Sequence, residues 1–269
     1  MPLESAPLSS PVSPQQRLIV SWQEPTTRAM RPIGVLTCES DSYAFEYLRA
    51  AERIDGFQPL LGFPELDTRY VSDDLFPLFA QRAMDPRRPD FERYVTDLGL
   101  DEDASPWEQI SRSGGTREGD TLQLFPVPRY KDGVWQCYFL AAGMRYLLSK
   151  EVEIDGEARG NYDAEQFESI LATLAEGDQL DLFAETTNEW EPLALLVTTA
   201  TKDPLGYVPG LLLKSISEPN SRGLLSTFVS KINPAAAGWH MRMIVHLTAD
   251  LPADFDFFAG SDWARFTVK

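Results

Sequence analysis

The chain has 269 residues, 43% hydrophobic and 11% aromatic, enough to bury a sizeable core in one large domain or two smaller ones. Its formal net charge is −17, with −9 carried by residues 1–110 and −8 by residues 111–269. That charge excludes a broad phosphate-coating surface and leaves any nucleic-acid contact to a few arginines and aromatics in a local pocket.

The opening, MPLESAPLSSPVSPQQ, lacks the basic start and apolar centre of a secretory signal, and its Pro and Ser content reads as a disordered tail over residues 1–16. No run of about 18 apolar residues follows, so no membrane-spanning helix is expected. Strands are expected at Arg17–Trp22, Ile33–Leu36 and Ser42–Tyr47, where β-branched and aromatic residues concentrate. Cys38 lies between the last two. It is far from Cys137 and outside any C-x-x-C spacing, so both read as packed thiols in a reducing cytoplasm.

The segment from Gly56 to Tyr70 is too rich in Pro and Gly for a regular element and reads as a packed loop. Ser72 is placed to cap a short helix from Asp73, with Pro77 inside it. Asp90 is placed to cap another, whose Phe91, Tyr94, Val95 and Leu98 recur at helical spacing before Gly99. Ser105-Pro106-Trp107-Glu108 has the cap, first-turn proline and third-position glutamate of a helix start. A Gly-rich loop, Arg112 to Asp120, then separates a mixed region from a more β-rich one. Its Ser113-Gly114-Gly115-Thr116-Arg117 is either a phosphate-binding nest or a plain connector.

Beyond it, strands are expected at Thr121–Val127 and Val134–Ala142. A helix capped by Asp163, with Gln166 three residues on, is expected to end at Gly177. More strands follow at Gln179–Glu185, Leu193–Thr199, Leu205–Val208, Leu224–Ile232 and Trp239–Leu247. Many short strands around one helix suggest a small barrel or sandwich.

His240 and His246 are the two histidines. Six apart on a strand, they would stand about 20 Å from each other, at roughly 3.3 Å per residue, and could not share a metal. No metal site, cofactor or catalytic constellation is expected. The 41 acidic residues make paired carboxylates commonplace, and most read as solvated surface. Arg145-Tyr146 ends an apolar strand, where a guanidinium beside a ring can pair with a phosphate and stack on a base. The alternative is a snorkelling Arg and a Tyr at a barrel rim.

In this order FLAAGMRYL, the helix, AEGDQLDLFAETTNEWEPLALLV and DPLGYVP resemble the HIRAN domain. The resemblance covers roughly residues 121–266. It implies an OB-like β-barrel framing a pocket for the 3′ end of single-stranded DNA. Gly143, Arg145 and Tyr146 fit the family's G-x-R-Y-Y-like strand end. Asn188, Trp190, Glu191 and Ala194 fit its N-P-Y-D-x-N-A segment, with Trp for Tyr and Glu for Asp. Gly206, Tyr207 and Pro209 fit its G-Y-[VI]-P strand. The motif's first Pro is Glu189 here and its second Asn is Leu193. A second resemblance, from Ile33 to Asp85, is to the N-terminal subdomain of HipA-type toxin kinases, with no kinase core following it.

The expectation is thus a non-catalytic, cytoplasmic α+β protein. Residues 17–118 would form a HipA-N-like domain and residues 119–269 a HIRAN-like barrel with one packed helix. Arg145, Tyr146, Asn188, Trp190, Glu191 and Tyr207 would meet a single-stranded 3′ end. The competing expectation is a protein-interaction or antitoxin-like adaptor, whose acidic surface suits a basic protein partner.

Overall fold

The computed structural model describes residues 16–266 apart from 27–28, 41, 117–119 and 190. The expected tail up to residue 15, Arg117 of the Gly-rich loop and Trp190 therefore lie outside the described residues.

The first sheet grows from a hairpin. β1 (Gln16–Gln23) pairs antiparallel with β2 (Met30–Glu39), with a bulge between Val20 and Ser21. β3 (Ser42–Tyr47) adds beside β2, and β4 (Tyr70–Ser72) forms the edge. The loop between β3 and β4 is packed, as its composition indicates. Phe57 and Phe63 are buried, and the Tyr47 hydroxyl donates to Phe63 O (2.9 Å) while accepting from Leu60 N (2.6 Å).

Three helices follow. α1 (Pro77–Ala80) starts at Pro77 rather than Asp73. A proline is tolerated in a first turn, where its missing N–H has no partner to lose, and Ser72 ends β4 instead. In α2 (Phe91–Asp97), Asp90 holds the N-cap position, but its carboxylate accepts from Arg88 rather than capping the helix. α3 (Pro106–Ser113) carries the expected reciprocal capping box between Ser105 and Glu108.

β5 (Leu122–Pro126), expected with the second region, pairs antiparallel with β1 and gives the sheet order β4-β3-β2-β1-β5. Alternate residues of these strands enter two apolar clusters. Leu18, Val20, Leu122 and Leu124 join Phe45, Phe63, Phe79 and Trp107. Ile19, Val35 and Phe125 join Phe139, Leu205, Val229 and Val245 of the second region. A strand with apolar cover on both faces reads as a near-continuous hydrophobic run, which is the pattern of RLIVSW.

The second sheet contains β6 (Arg129–Lys131), β7 (Val134–Leu140), β10 (Gln179–Ala184), β11 (Leu195–Thr198), β12 (Pro204–Tyr207), β13 (Leu225–Ile232) and β14 (Met243–Ala249). Between them come α4 (Met144–Leu147), a separate hairpin of β8 (Glu151–Ile154) and β9 (Glu157–Gly160), α5 (Ala164–Leu171) and α6 (Gly210–Ser221). The strand order is β12-β11-β10-β13-β14-β7-β6, antiparallel throughout. α5 has the predicted capping box between Asp163 and Gln166. Phe167 and Leu171 of α5, with Leu212, Leu213 and Ile216 of α6, lie against the sheet's core.

Among the described residues this sheet is not a closed barrel. β10 pairs with β13 only at Gln179 and Leu180 before continuing along β11, so the sheet curls. Its β12 edge then meets the chain beyond β7 through one bridge, Ala142↔Tyr207, with N–H···O distances of 2.9 and 2.8 Å. The fold class is α+β, with two antiparallel sheets, a separate hairpin and six α-helices among the described residues. Trp239–Met241 forms a 3-10 turn rather than the start of β14, so His240 and His246 do not share a strand.

Candidate nucleic-acid interface

The Gly-aromatic sequence in β12 has a local steric cause. A Cβ on Gly206 would lie 3.0 Å from both the Ala141 Cβ and the Ala142 carbonyl oxygen. Only glycine lets β12 approach the chain leaving β7 closely enough for the Ala142↔Tyr207 bridge. Gly143 has φ +65°, and its Cβ would lie 2.9 Å from Cδ2 of Tyr207, so the Tyr207 ring covers this glycine.

From Gly143 the chain enters α4, not a strand end. Met144 and Leu147 are buried, which turns Arg145 and Tyr146 outward. Tyr146 is 57% exposed. Three residues past α4, Lys150 reaches back. Its Nζ lies 4.5 Å from the Tyr146 ring centroid and 5.9 Å from that of Tyr207. The ammonium donates to Glu185 Oε1 (2.8 Å) and to the Tyr207 hydroxyl (3.2 Å). Glu185, just beyond β10, has a buried side chain, and its Oε2 accepts from Asn188 Nδ2 (2.7 Å).

Asn188 Oδ1 accepts from Glu191 N (2.9 Å), and Glu191 Oε1 accepts from Leu193 N (3.1 Å). Asn188 and Glu191 therefore shape the β10–β11 loop. The structure brings Tyr146, Asn188 and Tyr207 together around Lys150 and Glu185. Arg145 lies on the same helical turn, exposed, and among the described residues no ion pair holds it. Trp190 falls in this loop but outside the described residues.

The electrostatics are those of an internally neutralised pair. Burial works against the Lys150 ammonium, yet its hydrogen bonds to Glu185 and Tyr207 prevail and raise its pKa. Burial likewise disfavours the Glu185 carboxylate, and the bonds from Lys150 and Asn188 still hold its pKa below the ordinary value. Burial pushes the Tyr207 hydroxyl up to about 12. At neutral pH the cluster is Lys⁺, Glu⁻ and a neutral phenol, with an exposed ring beside an exposed guanidinium. It can stack, while the Glu185 oxygens are taken up by Lys150 and Asn188.

Sequence motifs missed Lys150 and Glu185, which connect the cluster. Lys150 sits in no recognisable pattern, and Glu185, though within the AEGDQLDLFAETTNEWEPLALLV segment, fits none of its motif positions; each is a charged residue just outside a short element. Among the described residues no group of three His, Cys, Asp or Glu is placed to hold a metal ion. None of their helices is long and apolar enough to cross a membrane.

No family model matches the sequence, and no curated protein matches it. Two solved structures are similar in part. One is a protein from Lactobacillus plantarum, 18% identical, with 42% of this chain and 96% of that one covered and a TM-score of 0.30. The other is the HIRAN domain of human HLTF, 12% identical, with 42% and 74% covered and a TM-score of 0.27. At these scores neither likeness carries an argument about function.

Proposed function

We propose that the chain is a non-catalytic nucleic-acid-binding protein that takes the free 3′ end of single-stranded DNA at the Tyr146–Tyr207 cluster. One observation carries the reading: residues from three separate segments, 146, 188 and 207, meet around a shared cation and carboxylate. Tyr146 would stack on the terminal base and Arg145 would meet its phosphate, contacts of roughly 1–3 kcal/mol each. The carboxylate of Glu191, partly exposed in the loop beside the cluster, would set the chemistry of the end. A terminal hydroxyl donates to a carboxylate, whereas a terminal phosphate is repelled. Like charges about 5 Å apart, at an effective dielectric near 20, cost on the order of 3 kcal/mol.

The test is fluorescence polarisation with 5′-labelled dT10 ending in a 3′ hydroxyl or a 3′ phosphate, at 0.1 M salt. The hydroxyl form binds at least tenfold tighter, and Tyr146→Ala or Arg145→Ala weakens it fivefold or more. Equal binding of the two ends, unchanged by either substitution, rejects the reading.

The adaptor reading has its own support in the net charge of −17 and in the first sheet. Val71 on the edge strand β4 is 61% exposed and Leu61 in the neighbouring loop 89%. An open edge with apolar side chains beside it suits a protein segment. Nuclease treatment before co-purification from the native cell separates the two readings, because a protein partner survives it and a DNA-bridged one does not.

A further inference from the structure

A second feature lies between the sheets, away from the tyrosine cluster. β1, α3, β6 and β7 enclose a depression of about 120 Å³, lined by Arg17, Arg112, Arg129 and Lys131 together with Trp107 and Tyr138. Among the described residues no carboxylate lines it. In a chain with 41 acidic and 24 basic residues, four cations without an acid among the described lining side chains run against composition.

Arg112 is positioned by a ring, and among the described residues no ion pair holds Arg17, Arg112 or Arg129. The Arg112 guanidinium lies 4.3 Å over the Tyr138 ring, and Tyr138 stacks flat on His246 at 4.3 Å and 6°. A guanidinium held face-on by a ring keeps its N–H edge available to an oxyanion. Arginines elsewhere, such as Arg82, Arg242 and Arg265, are each paired with a carboxylate. Arg17, Arg112 and Arg129 have no such pair among the described residues. Asp132 approaches Lys131 only at 4.0 Å, and Asp256 acts on Arg17 electrostatically. Burial first, and Arg129 as well, lower the pKa of Arg112, while burial and Arg265 lower that of Arg17. An anion beside them would favour both charged forms.

Size and ring geometry select the ligand class. Pockets for drug-sized molecules run about 300–1,000 Å³, so this one fits a tetrahedral oxyanion rather than a base with its sugar. Its rings are committed: Tyr138 lies between Arg112 and His246, and buried Trp107 donates to Gln16 Oε1 (2.8 Å). No face is left for a base. The geometry points to a phosphoryl-binding site at Arg17, Arg112 and Arg129, taking a phosphate from a nucleic-acid backbone or from a free phosphorylated molecule. A neighbouring depression shares Arg112 and Tyr138 and reaches Leu140 and Pro209, two residues beyond Tyr207. The site nevertheless stands on its own residues and does not depend on the strand-end reading.

Isothermal titration of the full chain at 0.1 M salt tests it with three probes: inorganic phosphate, dT10 and a ten-residue polyglutamate. Phosphate binds, and Arg129→Gln, an exposed substitution that leaves the fold intact, weakens it at least fivefold. Arg112→Gln weakens it more, with circular dichroism confirming that the stack on Tyr138 is not needed for folding. If dT10 also binds, is displaced by phosphate, and loses about one unit of salt slope in Arg129→Gln, the phosphate comes from a nucleic-acid backbone. If phosphate binds and dT10 does not, the source is a small phosphorylated molecule. Polyglutamate binding as tightly as dT10, with the same loss, overturns the phosphoryl assignment in favour of an acidic peptide. No binding by any probe, or binding indifferent to Arg129→Gln, overturns the site.

Discussion

The Lys150–Glu185 pair makes the sharpest test of the cluster, through Lys150→Met. Glu185 is 2% exposed in its side chain and Lys150 is 26% exposed. Stripping one partner from a fully buried pair costs about 3–5 kcal/mol, whereas exposed pairs contribute about 0–1 kcal/mol. Because water reaches Lys150 and Asn188 still donates to Glu185, the expected loss is about 2–3 kcal/mol, a fall in Tm of about 5–10 °C for a chain of this size. Urea unfolding followed by tryptophan fluorescence, with calorimetry alongside, measures it. The pH dependence identifies the cause. In the wild type Glu185 has a folded pKa below its unfolded value of 4.5, so its contribution is complete above that pH and lost as pH falls through the folded pKa. In Lys150→Met burial acts without the cation and raises the folded pKa, so the variant recovers stability on acidification. The gap is therefore full at pH 7 and closes below about pH 5. The double variant Lys150→Met/Glu185→Leu should regain at least half the loss. A single variant within about 0.5 kcal/mol of wild type, or a gap indifferent to pH, refutes a buried, cation-held carboxylate.

Gly206→Ala pushes a methyl to 3.0 Å from the Ala142 carbonyl and should cost about 1–3 kcal/mol, with faster hydrogen exchange at the Tyr207 amide; unchanged exchange would contradict the close approach. Lys150 and Tyr207 both have folded pKa values above their unfolded ones, 10.5 and 10.0, so their contributions are complete below pH 10 and lost as pH rises toward 12. Tyr47 and Tyr162, each pushed up to about 12, add to the same slope, so Tyr207→Phe should flatten a Tm–pH curve between pH 9 and 12 only in part. Ser105→Ala removes a reciprocal capping box and should lower stability by about 1 kcal/mol, read as a Tm shift of about 2–4 °C.

Local chemistry was legible where it decides the structure alone. The capping boxes at Ser105 and Asp163 form as their spacing requires, and SYAFEY is a strand over the residues expected. Segments decided by tertiary context were not. The run LLLKSISE continues an apolar stretch after β12 and does not separate helix from strand by content. Its burial of Leu212, Leu213 and Ile216 against the sheet makes it α6. EVEIDGEARG carries an Asp-Gly turn between alternating residues, the signal of the β8–β9 hairpin, but its charged residues obscured Val152 and Ile154. Placing β5 on β1 needed knowledge of which strand had a free edge, and that is a long-range fact. At the site, motif positions led to Tyr146, Asn188 and Tyr207. The two residues that join them lie 35 apart in sequence and meet only because α4 turns the chain back under β12.

The acidity of the chain, read from composition, argues against any polyanionic ligand, but distance decides how far that argument reaches. At 0.15 M salt the Debye length is about 8 Å. A carboxylate about 16 Å from a bound phosphate then contributes roughly 0.04 kcal/mol of repulsion, and seventeen such charges sum to less than about 1 kcal/mol. A guanidinium about 4 Å away, at an effective dielectric near 20, contributes about 4 kcal/mol in the other direction. What matters is therefore which carboxylates stand within a few ångströms of each cation. At Lys150 one does, and the charge is consumed inside the protein. At Arg17, Arg112 and Arg129 none of the described residues' carboxylates lines the depression, so the same acidic chain keeps a local positive field there. At about 0.01 M salt the Debye length grows to about 30 Å, and the same seventeen charges repel by about 2–3 kcal/mol, comparable with one arginine contact. The background charge thus sets the salt range over which an anion is held, while the placement of individual carboxylates sets where.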